Sequence, residues 1–206
     1  MINLLKTRRR ERRPAGESGL RVISGQAGGL RLQTVPGRST RPTADRVKEA
    51  MFSMIGPYFS GERALDLFAG TGALGIEALS RGAGRAVFVD RDPRCAAVIR
   101  RNLEHTGLSG RAEVIRGDVR RALEILSRRG ETFGLIFLDP PYDRTDCDEL
   151  LAELSARGLA APGAVAVVEH RTGVDYGDRF AGYALRRRAV YGDTALSIYD
   201  HGGLTE

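Results

Sequence analysis

The chain has 206 residues, 42% hydrophobic and 28% charged, with a formal net charge of +6. That balance fits one α/β domain with a small attachment. No apolar stretch reaches the ~20 residues of a membrane span, and MINLLKTRRRERR runs apolar then basic, the reverse of a secretory signal, so a cytoplasmic protein is expected.

In chain order, residues 1–19 read as a flexible basic extension. LRVISG and LRLQTV, separated by Gln26-Ala27-Gly28-Gly29, read as a β-hairpin. RSTRPTADRVKEAMFSMI then opens a helix, with Thr43 as candidate N-cap and Asp45 suited to the first turn. Val47, Ala50, Met51, Met54 and Ile55 line one apolar face, and Gly56-Pro57 ends the helix. Strands and helices alternate from there: ERALDLF, Ala73–Ser80, RAVFVD, Pro93 to about His105, RAEVIRGD, a helix through Leu126, FGLIFLD, a helix over Glu149–Ala156, and GAVAVVEH. Such alternation predicts a mainly parallel sheet with helices on both faces. The last two strands, YALRRRAVYGD and TALSIYD, form a hairpin around Gly192-Asp193. Residues 20–206 are read as one domain, with the hairpin and helix in 20–57 and the α/β core in 62–201.

Charge is unevenly placed. Residues 1–46 carry eleven basic side chains against three acids, a local charge of +8 that leaves −2 for the remainder. A basic N-terminal quarter on a near-neutral body suits a polyanionic partner. The two cysteines, Cys95 and Cys147, share no CxxC spacing and make no cluster with His105, His170 and His201. Reduced thiols and no metal are expected.

Ligands of open α/β sheets lie beyond the carboxyl ends of the strands. Four consecutive strands end there in aspartate: Asp66, Asp90, Asp118 and Asp139. DLFAGTGALG also contains Gly70-x-Gly72-x-x-Gly75, which taken alone fits a dinucleotide or a plain strand-to-helix turn. Charge separates the ligands. A pyrophosphate over this loop would meet the Asp66 carboxylate, whereas S-adenosylmethionine has no phosphate and carries a sulfonium and an ammonium. Asp66 suits that ammonium, and the N–H groups of the glycine turn suit the ligand's carboxylate. Asp90 can accept ribose hydroxyls. Asp118 with the Val119 N–H suits the adenine edge, or Asp118 is a helix N-cap.

The segment FGLIFLDPPYD carries the acceptor chemistry. A residue before proline is pushed toward extended conformations, which applies to Asp139 and again to Pro140. The Asp139 carboxylate and the Pro140 carbonyl are two rigid acceptors, and Tyr142 adds a flat face. The set matches a planar aromatic amine whose two N–H bonds meet the acceptors while its ring stacks on Tyr142. Catalysis is then mostly positioning for in-line displacement.

DLFAGTGALGIEALSRGA with FLDPPY resembles the class I methyltransferases that modify exocyclic amino groups of bases. RVISGQAGGLRL, RPTADRVKEAMFSMI and VYGDTALSIY narrow the resemblance to the bacterial RsmD-type family, which methylates guanine N2 in 16S ribosomal RNA. The resemblance runs from about Arg21 to Tyr199. It implies a Rossmann-like, seven-stranded, mostly parallel sheet with a C-terminal antiparallel hairpin, and S-adenosylmethionine as cofactor. It implies that Asp66, Phe68, Ala69, Gly70, Thr71, Gly72, Asp90 with Arg91, and Asp118 with Val119 bind that cofactor, and that Asp139, Pro140 and Tyr142 hold the target base. Arg21, Arg31, Arg41 and Arg46 then serve as contacts to RNA phosphates. The partner is 16S rRNA or an assembling small subunit, with no membrane and no obligate protein partner. The N-terminal extension before Leu20 departs from the family core. The alternatives are an adenine-N6 DNA methyltransferase, a non-catalytic nucleotide- or RNA-binding module, and an NAD dehydrogenase. Cytosine-carbon methylation is disfavoured, because the sequence has no Pro-Cys dipeptide.

Overall fold

The computed structural model describes residues 19–35, 43–141 and 144–202. The expected extension at 1–19 lies outside them except for Gly19. Helix α1 spans Thr43–Ile55 and precedes an alternating series: β1 (Arg63–Leu67), α2 (Ala73–Ser80), β2 (Arg85–Asp90), α3 (Pro93–Thr106), β3 (Ala112–Arg116), α4 (Val119–Arg128), β4 (Phe133–Leu138), α5 (Cys147–Ala156) and β5 (Ala160–Arg171). Strands β6 (Arg179–Phe180), β7 (Tyr183–Tyr191) and β8 (Thr194–His201) complete the sheet.

The sheet has eight strands in the order β3-β2-β1-β4-β5-β8-β7-β6. The first five run parallel, and β8 is antiparallel to β5. Seven strands were expected; the eighth is the two-residue β6, paired with the start of β7. A two-residue edge strand has no periodicity to read, so only its pairing reveals it.

Helices on both faces explain the near-continuous burial of the central strands, since a parallel sheet buries both sides. On one face Val47, Met51 and Phe52 of α1 join Ile76 and Leu79 of α2, Phe88, Phe137, Val167 and Leu196. On the other, Leu123 and Leu126 of α4 and Leu150, Leu151 and Leu154 of α5 pack on Leu65, Val87, Ile136, Leu138 and Val168.

The N-terminal hairpin is reduced to one bridge pair, Arg21 with Arg31. Around it Val22 N–H donates to the Leu30 carbonyl at 2.9 Å and Leu32 N–H to Leu20 at 2.8 Å. The ladder stops because the next donors are spent elsewhere. Ile23 and Ser24 N–H donate to the Glu77 carboxylate at 2.7 and 3.0 Å. Gln26 N–H donates to the Ser80 carbonyl at 2.8 Å and Ala27 N–H to Ser80 Oγ at 2.9 Å. Gln33 N–H donates to Asn102 Oδ1 at 2.7 Å. The segment is thus bound to α2 and α3 as well as to itself. Glu77 is fully buried and also takes Arg81 Nε at 2.7 Å and Lys48 Nζ at 3.3 Å.

Candidate active site

The turn from β1 into α2 is built from left-handed backbone. Phe68 has φ 62°, Gly70 56° and Gly72 78°. Glycine takes this conformation without penalty, whereas a residue with a Cβ pays about 1–2 kcal/mol. Phe68 holds its strained geometry with the Arg144 guanidinium 5.0 Å from its ring centroid. Gly75 answers a different need. A Cβ there would lie 2.3 Å from the Phe88 ring, so its absence lets α2 sit directly on the sheet.

The acids ring this turn. Asp66 is buried one residue inside the end of β1, and its Oδ2 accepts Gly75 N–H at 2.9 Å. Burial pushes its carboxyl well up, and the Asp139 and Asp90 charges add to that. Asp90 ends β2 and accepts Gly70 N–H at 2.9 Å on Oδ2 and Asp92 N–H at 2.8 Å on Oδ1. Arg91 beside it is exposed. Asp118 lies beyond the end of β3 and caps α4, its Oδ1 accepting Arg120 N–H at 2.9 Å and Arg121 N–H at 3.4 Å. The two readings of Asp118 are compatible, because the cap uses one carboxylate oxygen. Val119, the first residue of α4, is buried.

Two of the glycine-turn donors are engaged internally, Gly70 by Asp90 and Gly72 by the Ala69 carbonyl at 2.6 Å. Sequence spacing assigned such N–H groups to a ligand carboxylate. The fold uses these two to hold its own loop.

A strand away, Asp139 follows the end of β4. It is exposed, while Pro140 is buried. The Pro141 carbonyl accepts Arg144 N–H at 2.9 Å and turns the chain toward α5. Tyr142 lies outside the described residues, as does Arg41. Arg21, Arg31 and Arg46 are exposed, and Arg21 pairs with Asp45 of α1 at 3.2 Å.

Three further residues bear on the site. Asn102, buried on α3, donates to the Thr71 carbonyl at 2.9 Å and the Gln33 carbonyl at 3.1 Å, joining the glycine turn to the N-terminal segment. Its signal was a polar residue on an apolar helix face. Arg144 bridges Phe68 and Asp146. Glu169, near the end of β5, is half-buried beside Asp139, and no motif flagged it.

The donor set fits a cationic ligand. The Asp90 and Asp139 charges both act on Asp66 across adjacent strand ends. A sulfonium and an ammonium would relieve that repulsion, and a pyrophosphate would add to it.

Both Cys95 and Cys147 are buried. Burial pushes the Cys147 thiol up to about 11, so it is neither exposed nor a thiolate at neutral pH. Cys147→Ala is expected to keep turnover within about two-fold, and a cysteine nucleophile would instead be lost outright. Steady-state rates of the two proteins decide it. Among the described residues no group of acids, cysteines and histidines is placed to hold a metal ion, and no helix is long and apolar enough to cross a membrane.

Residues 20–200 match the family described as "Conserved hypothetical protein 95". The "Putative rRNA methyltransferase YlbH" of Bacillus subtilis is 44% identical over 184 residues, 89% of this chain and 100% of that protein. The "Ribosomal RNA small subunit methyltransferase D" of Escherichia coli K12 is 33% identical over 185 residues, 90% of this chain and 91% of that one. Among solved structures, "Putative methyltransferase yhhF from Escherichia coli" superposes with TM-score 0.75 at 34% identity, covering 89% of this chain and 98% of the other. A sam-dependent methyltransferase from Streptococcus mutans, described as putative, shares the fold alone, with TM-score 0.63 at 15% identity over 78% of this chain and 49% of its own. With its glycine turn, its strand-end acids and its DPP segment on the same scaffold, the chain belongs to the family of Conserved hypothetical protein 95, and so to the RsmD-type methyltransferases its motifs resemble.

Proposed function

We propose that this protein is an S-adenosylmethionine-dependent methyltransferase acting on the exocyclic N2 amino group of a guanine in 16S rRNA. The observation that carries the reading is Asp139. It is an exposed carboxylate on a proline-stiffened segment, one strand away from a glycine turn ringed by acids. Relatives named as rRNA methyltransferases along most of their length support the RNA substrate.

S-adenosylmethionine bound over the β1 turn supplies an electrophilic methyl group. Asp90 would accept the ribose hydroxyls through lone pairs its two backbone donors leave open. The unused oxygen of Asp118 and the Val119 N–H would read the adenine edge. Asp66 would stay paired with Gly75 and stabilise the ligand ammonium through space. On the acceptor side, Asp139 and the Pro140 carbonyl would take the two amine hydrogens, with Tyr142 stacking on the ring. An exocyclic base nitrogen is a poor nucleophile because its lone pair is delocalised. Aiming its hydrogens at two fixed oxygens directs that lone pair at the methyl group, and Asp139 stabilises the positive charge that develops on nitrogen. The guanine amino group lies on the minor-groove edge, so the target base must be unpaired or flipped out.

Transfer of labelled methyl groups to small-subunit rRNA and to assembling particles, followed by nucleoside mapping, tests the reading. Label on N2-methylguanine is expected; label on adenine N6 of duplex DNA would replace it with the other exocyclic-amine reading. The N-terminal arginines make a second expectation. Four phosphate contacts from Arg21, Arg31, Arg41 and Arg46 correspond to a slope of roughly −3 in log affinity against log salt. A filter-binding series with no salt dependence would remove the basic patch from the argument.

A further inference from the structure

We propose that Glu169 is a positioning residue for the acceptor site, its carboxyl O–H donating to the Asp139 carboxylate and fixing the oxygen that meets the target amine. The inference rests on the reading of Asp139 given above.

The sheet register sets the pair. Leu138 of β4 aligns with Val168 of β5 in parallel, and the next residues are Asp139, just past the end of β4, and Glu169 within β5, on which the Asp139 charge acts. Phe137 and Val167 point to the face covered by α1, and Leu138 and Val168 to the opposite face. The alternation returns Asp139 and Glu169 to the α1 face together. Strands lie about 4.8 Å apart, so two carboxyl groups at one level on one face are within hydrogen-bonding reach.

Their surroundings differ. Asp139 is exposed beyond its strand, while Glu169 is half-buried inside β5 and faces Leu196 across β8. Two carboxylates this close cannot both ionise readily. Burial first, and the Asp139 charge second, push Glu169 up to about 8. At neutral pH the pair is therefore one anion and one acid. A neutral carboxyl beside a carboxylate makes a strong charge-assisted O–H···O bond, and an acid kept neutral by its site is a hydrogen-bond donor.

Other charged groups border this face. Asp66 comes from β1, itself raised by burial and by Asp139. Arg171 follows on β5, and α1 brings Asp45, Arg46, Lys48 and Glu49, of which Lys48 is tied to Glu77. The position opposite on β8 is apolar.

The consequence concerns geometry at the amine. A donor from Glu169 holds one oxygen of Asp139 and presents the other to the substrate. Transfer then proceeds with balanced charge. The nitrogen lone pair forms the N–C bond, the S–C pair returns to sulfur, and the proton leaving nitrogen passes to Asp139 and on to water.

Single-turnover methylation of small-subunit rRNA across pH about 6–9.5, with cofactor affinity measured alongside, tests this. E169A is expected to slow transfer by about 10–100-fold with cofactor affinity within about two-fold. E169Q keeps an N–H donor and is expected to run within about two-fold of the native rate at neutral pH. The native rate falls as pH rises through about 8, where Glu169 ionises, and E169Q stays level through that range. Should E169A melt early, E169L fills the same space against Leu196 without a donor and replaces it. An E169Q as slow as E169A, an E169A as fast as the native chain, or an alkaline fall that survives in E169Q overturns the proposal. If the native chain labels another nucleic acid, the substrate reading fails and the same variants test the pair on that substrate. A native chain that labels no nucleic acid overturns both.

Discussion

Replacing Asp139 with alanine is expected to slow methyl transfer by about 10²–10³-fold while leaving cofactor affinity within about two-fold. The asymmetry follows from where the residue lies. Asp139 is exposed, so its truncation opens no cavity and costs little stability. Its proposed contacts are to the amine and to the charge that grows on nitrogen, and these strengthen in the transition state. An interaction of that kind appears in the rate rather than in ground-state binding. Asp139→Asn retains one carbonyl acceptor without the charge and should fall between. Single-turnover rates with labelled cofactor, set beside calorimetric titration of the cofactor, separate the two quantities. Undiminished transfer in Asp139→Ala would move the chemistry away from the DPP segment. A chain that binds cofactor or RNA equally well before and after the change, and transfers nothing in either case, would be a binding module.

The second large effect is on stability. Glu77→Ala is expected to destabilise the protein by about 3–5 kcal/mol, because it leaves buried charges without their partner. Glu77 is fully buried on α2 and joins four groups, the Ile23 and Ser24 N–H donors, Arg81 and Lys48. Burial already holds Lys48 below its ordinary range, and Glu77 is the main group working against that. Without the carboxylate, Lys48 would be pushed further down by its burial, and Arg81 would be left with the Pro57 carbonyl at 3.1 Å and the Phe52 ring at 4.9 Å. At about 2–4 °C per kcal/mol for a chain of this size, the melting temperature should drop by roughly 10 °C. Hydrogen exchange should rise first at the amides of Ile23 and Ser24, which anchor the N-terminal segment. Glu77→Gln keeps hydrogen-bond capacity and should be milder. An unchanged melting temperature in Glu77→Ala would mean the segment is held by its apolar contacts alone.

The two effects meet in the architecture. Glu77 and Ser80 on α2 and Asn102 on α3 dock the N-terminal segment onto the face that carries the site. Asn102 reaches the Thr71 carbonyl of the glycine turn from the same side chain. Loosening the segment therefore reaches the proposed cofactor loop through a single residue.

Much of this protein was decided locally and could be read from the chain. The boundaries of α2 and β2 agree with the expected spans, because a short apolar run bounded by glycine and charged residues is a local signal that needs no distant partner. The φ values of Gly70 and Gly72 likewise follow from their own backbone chemistry. Where a polar group's partner lies far along the chain, the sequence was silent. The N-terminal hairpin reads as two strands, yet its donors go to Glu77, Ser80 and Asn102, residues 53 to 69 positions away. Asp66 reads as a ligand for a cation, and the fold also spends it on Gly75. Glu169 reads as one acid in an apolar strand until the β4–β5 register sets it beside Asp139. Composition and period determined which segments are helix or strand and which acids stand at their ends. Only the packing of strand on strand decided which carboxyl groups share a site, because the repulsion and burial that set their protonation depend on separations in space, not along the chain.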